Sequence, residues 1–156
     1  MIVFLDFDGV LHSRDAEETS LFNCAPALWT VLRACPDVRV VLATSWRNIH
    51  ELSELVEMVC RSGGEDMTSR FVGATPHLIE ELGRYIPSGG YPRREFECRA
   101  WLLGNSANGK RWLAIDDDLS GFSRGCAHLY SVDPATGLTE LDVCAIIARI
   151  NSKGGE

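Results

Sequence analysis

The sequence has no CxxC pair, no apolar run of membrane-spanning length and no surplus of positive charge, and each absence removes a class of function. Six cysteines (Cys24, Cys35, Cys60, Cys98, Cys126, Cys144) are scattered singly, which gives neither a paired zinc-ligand pattern nor a disulfide framework. In a chain of 156 residues, long enough to bury a core of its own, they read as reduced and mostly buried thiols. The start, MIVFLDFDG, lacks a basic n-region, its apolar run breaks at Asp6, and nothing later approaches the roughly 20 residues of a membrane span. Lys plus Arg number 15 against 22 Asp plus Glu, a net charge of -7, which argues against general binding of nucleic acid or an anionic membrane and leaves only a local basic groove open. The expectation is a soluble, cytoplasmic protein that makes no use of a membrane. Its length suits one domain over residues 1–150, with a flexible tail at 151–156.

What is present is an alternation of strands and helices. Ile2 to Leu5 reads as a fully buried strand, followed by strand candidates at Val38 to Ala43, around Phe71 and Val72, at Trp112 to Ile115 and at His128 to Val132. Helical spacing of apolar residues marks Pro26 to Ala34, Glu51 to Cys60, Glu95 to Leu103 and Thr139 to Ile150, the last opening on TELD with Thr139 as cap and Asp142 answering it. Such alternation indicates βαβ units, hence an α/β fold with a central, mostly parallel sheet covered on both faces. Ligands of these sheets bind beyond the carboxyl ends of the strands, where the strand order reverses.

The residues placed at that edge are chemically pointed. DFDGV follows the first strand, TSWR (Thr44 to Arg47) the second and DDD (Asp116 to Asp118) the fourth. Carboxylates brought within a few ångströms of one another repel by several kcal/mol unless protons or a cation intervene. A hard divalent ion with oxygen ligands relieves this most simply, and Mg²⁺, which takes a few carboxylates plus waters and phosphate oxygens, suits the set best.

This ordered set, with DFDGV first, a hydroxyl residue after the next strand and an acidic pair later, resembles the haloacid dehalogenase (HAD) superfamily of phosphohydrolases. The segments ATSWR, TPHL, RxFECxxWL, AIDDD and VDPATGLT resemble a small bacterial branch of it related to domains of RNA-repair proteins, over nearly the whole chain from Ile2 to about Ile150. The resemblance implies a three-layer α/β/α Rossmann-like fold and an aspartyl-phosphate mechanism. Asp6 would be the nucleophile, Asp8 the acid and base that serves the leaving group and then the water, and Gly9 the turn that lets the chain approach phosphate. Thr44 would donate its hydroxyl to a phosphoryl oxygen, with the amide of Ser45 beside it. The charge-neutralising cation is assigned to Arg94, with Arg93 and Lys110 as alternatives. Asp116 and Asp117 would hold Mg²⁺ together with Asp6 and the main-chain carbonyl of Asp8, and Asp118 would lie outside the ligands.

Other residues carry plainer readings. His12 follows the first motif in the polar stretch HSRDAEETS and reads as a surface histidine. Cys126 and His128 form a CxH that, without a second pair at ligand spacing, reads as a thiol and a strand residue. Trp46 and Arg47 either pack or contact substrate, whereas Trp29 and Trp101 belong to apolar helix faces. About 35 residues separate Asp8 from Thr44 and about 50 separate Thr44 from Arg94, lengths that helices of typical size largely consume, so no substantial cap fits. The site is expected to be open, rimmed by a flap from His12 to Phe22 and the loop Ile86 to Arg94. The resulting expectation is a Mg²⁺-dependent phosphomonoesterase acting on a small molecule or a macromolecular phosphate, a nucleic-acid end included. The alternatives are a catalytically weak phosphate-binding or protein-interaction domain on the same fold, and phosphoryl transfer to an acceptor other than water.

Overall fold

The computed structural model describes residues 1–78 and 92–152. Its strands are β1 (Ile2–Leu5), β2 (Arg39–Leu42), β3 (Phe71–Ala74), β4 (Trp112–Asp116) and β5 (Leu129–Ser131). The helices among the described residues are α1 (Ala25–Ala34), α2 (Leu52–Cys60), α3 (Arg93–Gly104) and α4 (Glu140–Asn151). All five strands are parallel, in the order β3-β2-β1-β4-β5. β1 is therefore central, with Ile2 opposite Arg39 on one side and Trp112 on the other. The order reverses between β1 and β4, which puts the ligand-binding crevice of such a sheet at the ends of those two strands.

Side chains of β1 alternate between two apolar layers, which is why the strand reads as a continuous hydrophobic run. Val3 and Leu5 join Leu28, Val31 and Leu32 of α1, Leu55 and Val59 of α2 and Ile146 of α4 on one face. Ile2 and Phe4 join Cys98 and Leu102 of α3 on the other, where Phe4 meets Trp101 and Trp112 edge-on at 5.9 and 5.6 Å. The layers are thus α/β/α, a Rossmann-like arrangement. Trp29 is 7% exposed and donates its indole N–H to the Val59 carbonyl at 3.0 Å, tying α1 to α2.

Local chemistry sets the helix ends. Pro26 sits in the first turn of α1, Glu51 and Glu54 form a capping box at α2, and Thr139 and Asp142 form one at α4. Each cap satisfies amides that the helix cannot and is worth about 1 kcal/mol. Asp142 also accepts the Tyr130 hydroxyl at 2.7 Å, which fastens the start of α4 to β5. All six cysteines are free thiols, and His128 stacks on the Trp112 ring at 4.1 Å.

Between Asp8 and Thr44 the chain forms a short 3-10 turn at Glu18–Ser20, then α1 and β2, with no inserted cap. The loop expected from Ile86 to Arg94 lies outside the described residues except for Pro92 to Arg94, as do the last four residues of the expected tail. No helix among the described residues is long and apolar enough to cross a membrane.

Candidate active site

Because β1 and β4 pair directly, with Leu5 opposite Ile115, the residues that follow them emerge side by side. One carboxylate oxygen each of Asp6, Asp116 and Asp117 lies within 4.8 Å of the others, and all three residues are buried. Burial pushes the Asp6 carboxyl up, against the pull of Arg94 and the amide of Phe7, which donates to Oδ1 at 2.8 Å. Burial and the neighbouring charge of Asp6 push Asp116 up to about 8. Asp117 keeps its buried Oδ1 without a hydrogen-bond partner among the described residues, while its Oδ2 accepts from Arg14 at 2.6 Å. Three hard oxygen donors, of which Asp6 and Asp116 are held toward the neutral form by burial and repulsion, and one buried oxygen left orphaned make a group that could hold a divalent cation.

Gly9 closes one wall of this cluster. Its φ is +71°, and a Cβ there would stand 2.1 Å from Asp117 Oδ2, so both the backbone and the space demand glycine.

Arg94 enters from the first turn of α3. Its Nη2 donates to Asp6 Oδ2 at 3.1 Å and its Nε lies 3.7 Å from Asp116 Oδ2. A cation at a helix N-terminus opposes the macrodipole. Burial also works against the charge, but Asp6 and Asp116 outweigh it and hold the guanidinium above its ordinary value. Gly121, in the turn after β4, makes room for the arginine: a Cβ there would lie 2.6 Å from Arg94 Cγ.

The turn after β2 supplies neutral donors. Thr44 is fully buried and caps the 3-10 turn Ser45–Asn48, accepting from the Trp46 amide at 3.3 Å. Ser45, Arg93, Arg94 and Ser120 are among the residues lining a cavity of about 330 Å³ at this edge. Arg47 turns inward instead. Its Nη2 meets Glu97 Oε2 at 2.7 Å, its Nε donates to the Thr75 carbonyl at 3.0 Å, and it also donates to the Thr44 carbonyl. Glu97, wholly buried on α3, accepts Arg93 Nε on its other oxygen at 3.0 Å. This Arg47–Glu97–Arg93 chain ties the turn carrying Thr44 to the helix carrying Arg94.

Asp8 faces away from the trio. Its Oδ1 lies 3.1 Å from His12 Nε2 and its Oδ2 accepts the Trp46 indole N–H at 3.0 Å. The His12 hydrogen bond, helped by that of Trp46 against the effect of burial, holds the carboxyl below its ordinary value. The side chain is still 41% exposed, open toward an incoming ligand.

The structure therefore brings together Asp6, Asp8, Gly9, Thr44, Ser45, Arg93, Arg94, Asp116 and Asp117. It does not bring Lys110, which lies ahead of β4 at the opposite end of the sheet, in a cavity shared with Met1 and Asp37. His12 is not a surface residue: it is 1% exposed, walled by Phe22 and Trp46 with ring centroids at 5.4 and 6.1 Å. Asp118 takes no part in the cluster and caps the turn Leu119–Gly121 through Ser120. Sequence reasoning missed Arg14 and Glu97. The first sits in a polar stretch that reads as loop, and the second gives no sign that burial rather than solvent surrounds it.

The family described as the HAD domain in Swiss Army Knife RNA repair proteins matches residues 2–143. No curated protein and no solved structure matches the chain.

Proposed function

From the premise that the chain belongs to this family of HAD domains, we propose that it is a Mg²⁺-dependent phosphomonoesterase working through an aspartyl-phosphate on Asp6. The observation that carries the reading is the buried Asp6 carboxylate, held by Arg94 at 3.1 Å within the Asp6, Asp116 and Asp117 cluster. Asp6, Asp116 and Asp117, with the main-chain carbonyl of Asp8, would hold the metal. Once bound, the ion screens the anionic nucleophile from the anionic phosphate.

The chain's own groups do the rest. A carboxylate oxygen of Asp6 attacks phosphorus, and the bond from phosphorus to the leaving oxygen breaks. Asp8, which takes up a proton as the anionic phosphate comes to lie beside it, delivers that proton to the leaving oxygen and then regains one from the water that attacks phosphorus, which returns Asp6 and frees phosphate. The Thr44 hydroxyl, the Ser45 amide and the Arg94 guanidinium stabilise the charge on the transferring group. With no cap between Asp8 and Thr44, the edge admits phosphate on a large molecule, and the family's association with RNA repair puts nucleic-acid ends first among substrates to screen.

The test is hydrolysis of an aryl phosphate by metal-stripped protein with and without Mg²⁺, with Asp6→Asn, Arg94→Ala and Lys110→Ala alongside. Turnover restored by Mg²⁺, abolished by Asp6→Asn, lowered about 10²- to 10³-fold by Arg94→Ala and unaltered by Lys110→Ala is expected. If wild type is no faster than Asp6→Asn on aryl, alkyl and nucleic-acid phosphates alike, the domain binds phosphate without hydrolysing it and the reading fails.

A further inference from the structure

We propose that His12 and Trp46 are positioning residues for Asp8, a two-sided clamp that fixes which way its carboxylate points and makes cleavage of poor leaving groups depend on them. The inference deepens the phosphomonoesterase reading, since it assigns the groups that make Asp8 usable as acid and base.

The clamp is built from two segments. His12 belongs to the segment after β1 and reaches back four residues to Oδ1, while Trp46 comes from the turn after β2 and reaches Oδ2. Both oxygens thus meet an N–H, and the carboxylate plane is set by contacts from different parts of the chain. With both oxygens so engaged, Asp8 stands outside the acidic trio, although it lies only two residues from Asp6.

His12 itself is held with one tautomer. The Phe22 amide donates to Nδ1 at 3.3 Å, so that nitrogen presents its lone pair and the ring proton sits on Nε2, facing Asp8. This separates positioning from proton relay. A relay would need Nδ1 to accept a proton, where the Phe22 N–H already points, and would need solvent at a ring that is 1% exposed. His12 therefore passes no proton, and it acts through Asp8. Edge-on packing of Phe22 against Phe7, at 5.3 Å, and against Trp46, at 5.5 Å, fixes the rings that fix the carboxylate.

The role leaves a signature in leaving-group dependence. An aryl phosphate departs as a stable phenolate and needs little help, whereas an alkyl phosphate needs its proton delivered on time. A carboxylate displaced by about 1 Å loses on the order of 10²-fold in rate. In single-turnover release of the leaving group, which comes before Asp8 acts as base, Trp46→Phe, which keeps a ring and removes the N–H, and His12→Leu are both expected to lower alcohol release from an alkyl phosphate about 10²-fold, with phenol release from an aryl phosphate changed by no more than about 3-fold. His12→Gln, whose amide N–H reaches the place of Nε2, restores most of the alkyl rate, and His12→Asn, which is too short, does not. Equal losses in the release step on both substrates, or no rescue by glutamine, would mean that the rings only fill space, and the clamp would be wrong. If wild type turns over neither substrate, the phosphomonoesterase reading fails by itself. The clamp is then judged by the ¹⁵N spectrum of the His12 imidazole: a protonated Nε2 and bare Nδ1, with the Nε2 proton shifted on Asp8→Ala, support it, and the opposite tautomer refutes it.

Discussion

Replacing Arg47 by methionine should destabilise the protein by about 4 kcal/mol, because it breaks an ion pair that water does not reach. The Arg47 side chain is 5% exposed and that of Glu97 is 0% exposed, with 2.7 Å between Nη2 and Oε2. Without the arginine, Glu97 keeps only Arg93, whose side chain is 39% exposed, and the carbonyls of Thr44 and Thr75 each lose a donor. Breaking a buried pair costs about 3–5 kcal/mol, and each orphaned carbonyl adds on the order of 1 kcal/mol, from which the packing of the methionine stem subtracts a similar amount. Against a total of about 5–15 kcal/mol, such a loss moves a urea midpoint far outside error. Glu97→Leu alone strands Arg47 and should cost a comparable amount. The double variant Arg47→Met with Glu97→Leu should lose at least about 2 kcal/mol less than the two singles added together, since neither charge is then left alone. Urea unfolding followed by circular dichroism supplies all four corners of this cycle. A loss below about 1 kcal/mol for Arg47→Met, or strict additivity, would refute the argument that the pair is desolvated.

Three other outcomes follow from the same contacts. Hydrogen bonds from Ser123 and Arg99 outweigh the burial of Glu95 and hold its carboxyl down to about 2, below its unfolded value of 4.5. Its contribution is therefore complete above about pH 4.5 and is lost as pH falls toward 2, so wild type should lose on the order of 2–3 kcal/mol more than Glu95→Gln over that window in chemical denaturation. Gly9→Ala places a methyl 2.1 Å from Asp117 Oδ2 at a φ of +71° and should both lower Tm and weaken Mg²⁺ binding measured by calorimetry. Asp116→Asn removes a carboxyl that repels Asp6, so in chelator its Tm should exceed that of wild type, whereas Mg²⁺ should raise the Tm of wild type only.

The sheet was readable because burial on both faces leaves a plain mark: IVFL, VVL and WLAI are short apolar runs, and each is a strand. The acidic edge was readable for the same reason, since a charge directly after a buried run has few places to go. What did not show was anything set by partners distant in sequence. His12 looks solvated among Ser13, Arg14 and Asp15 and is enclosed only because Phe22 and Trp46 fold over it. Lys110 and Arg94 are equally cationic in sequence, and only the strand direction decides that one stands at the site and the other at the far end of the sheet.

The place of β1 in the sheet also governs how the protein reaches its structure. Its two neighbours are β2 and β4, and Ile2 pairs with Trp112, roughly 110 residues along the chain, a separation that makes loop closure slow and contact order high. Neither layer of the core is complete until that distant strand docks. The crevice forms in the same event, because Asp6 and Asp116 have no common surroundings before β1 and β4 meet. Assembly of the carboxylate cluster thus waits on that long-range pairing, and a cation held by residues of both strand ends would stabilise the folded state without stabilising chains in which the two strands have not met.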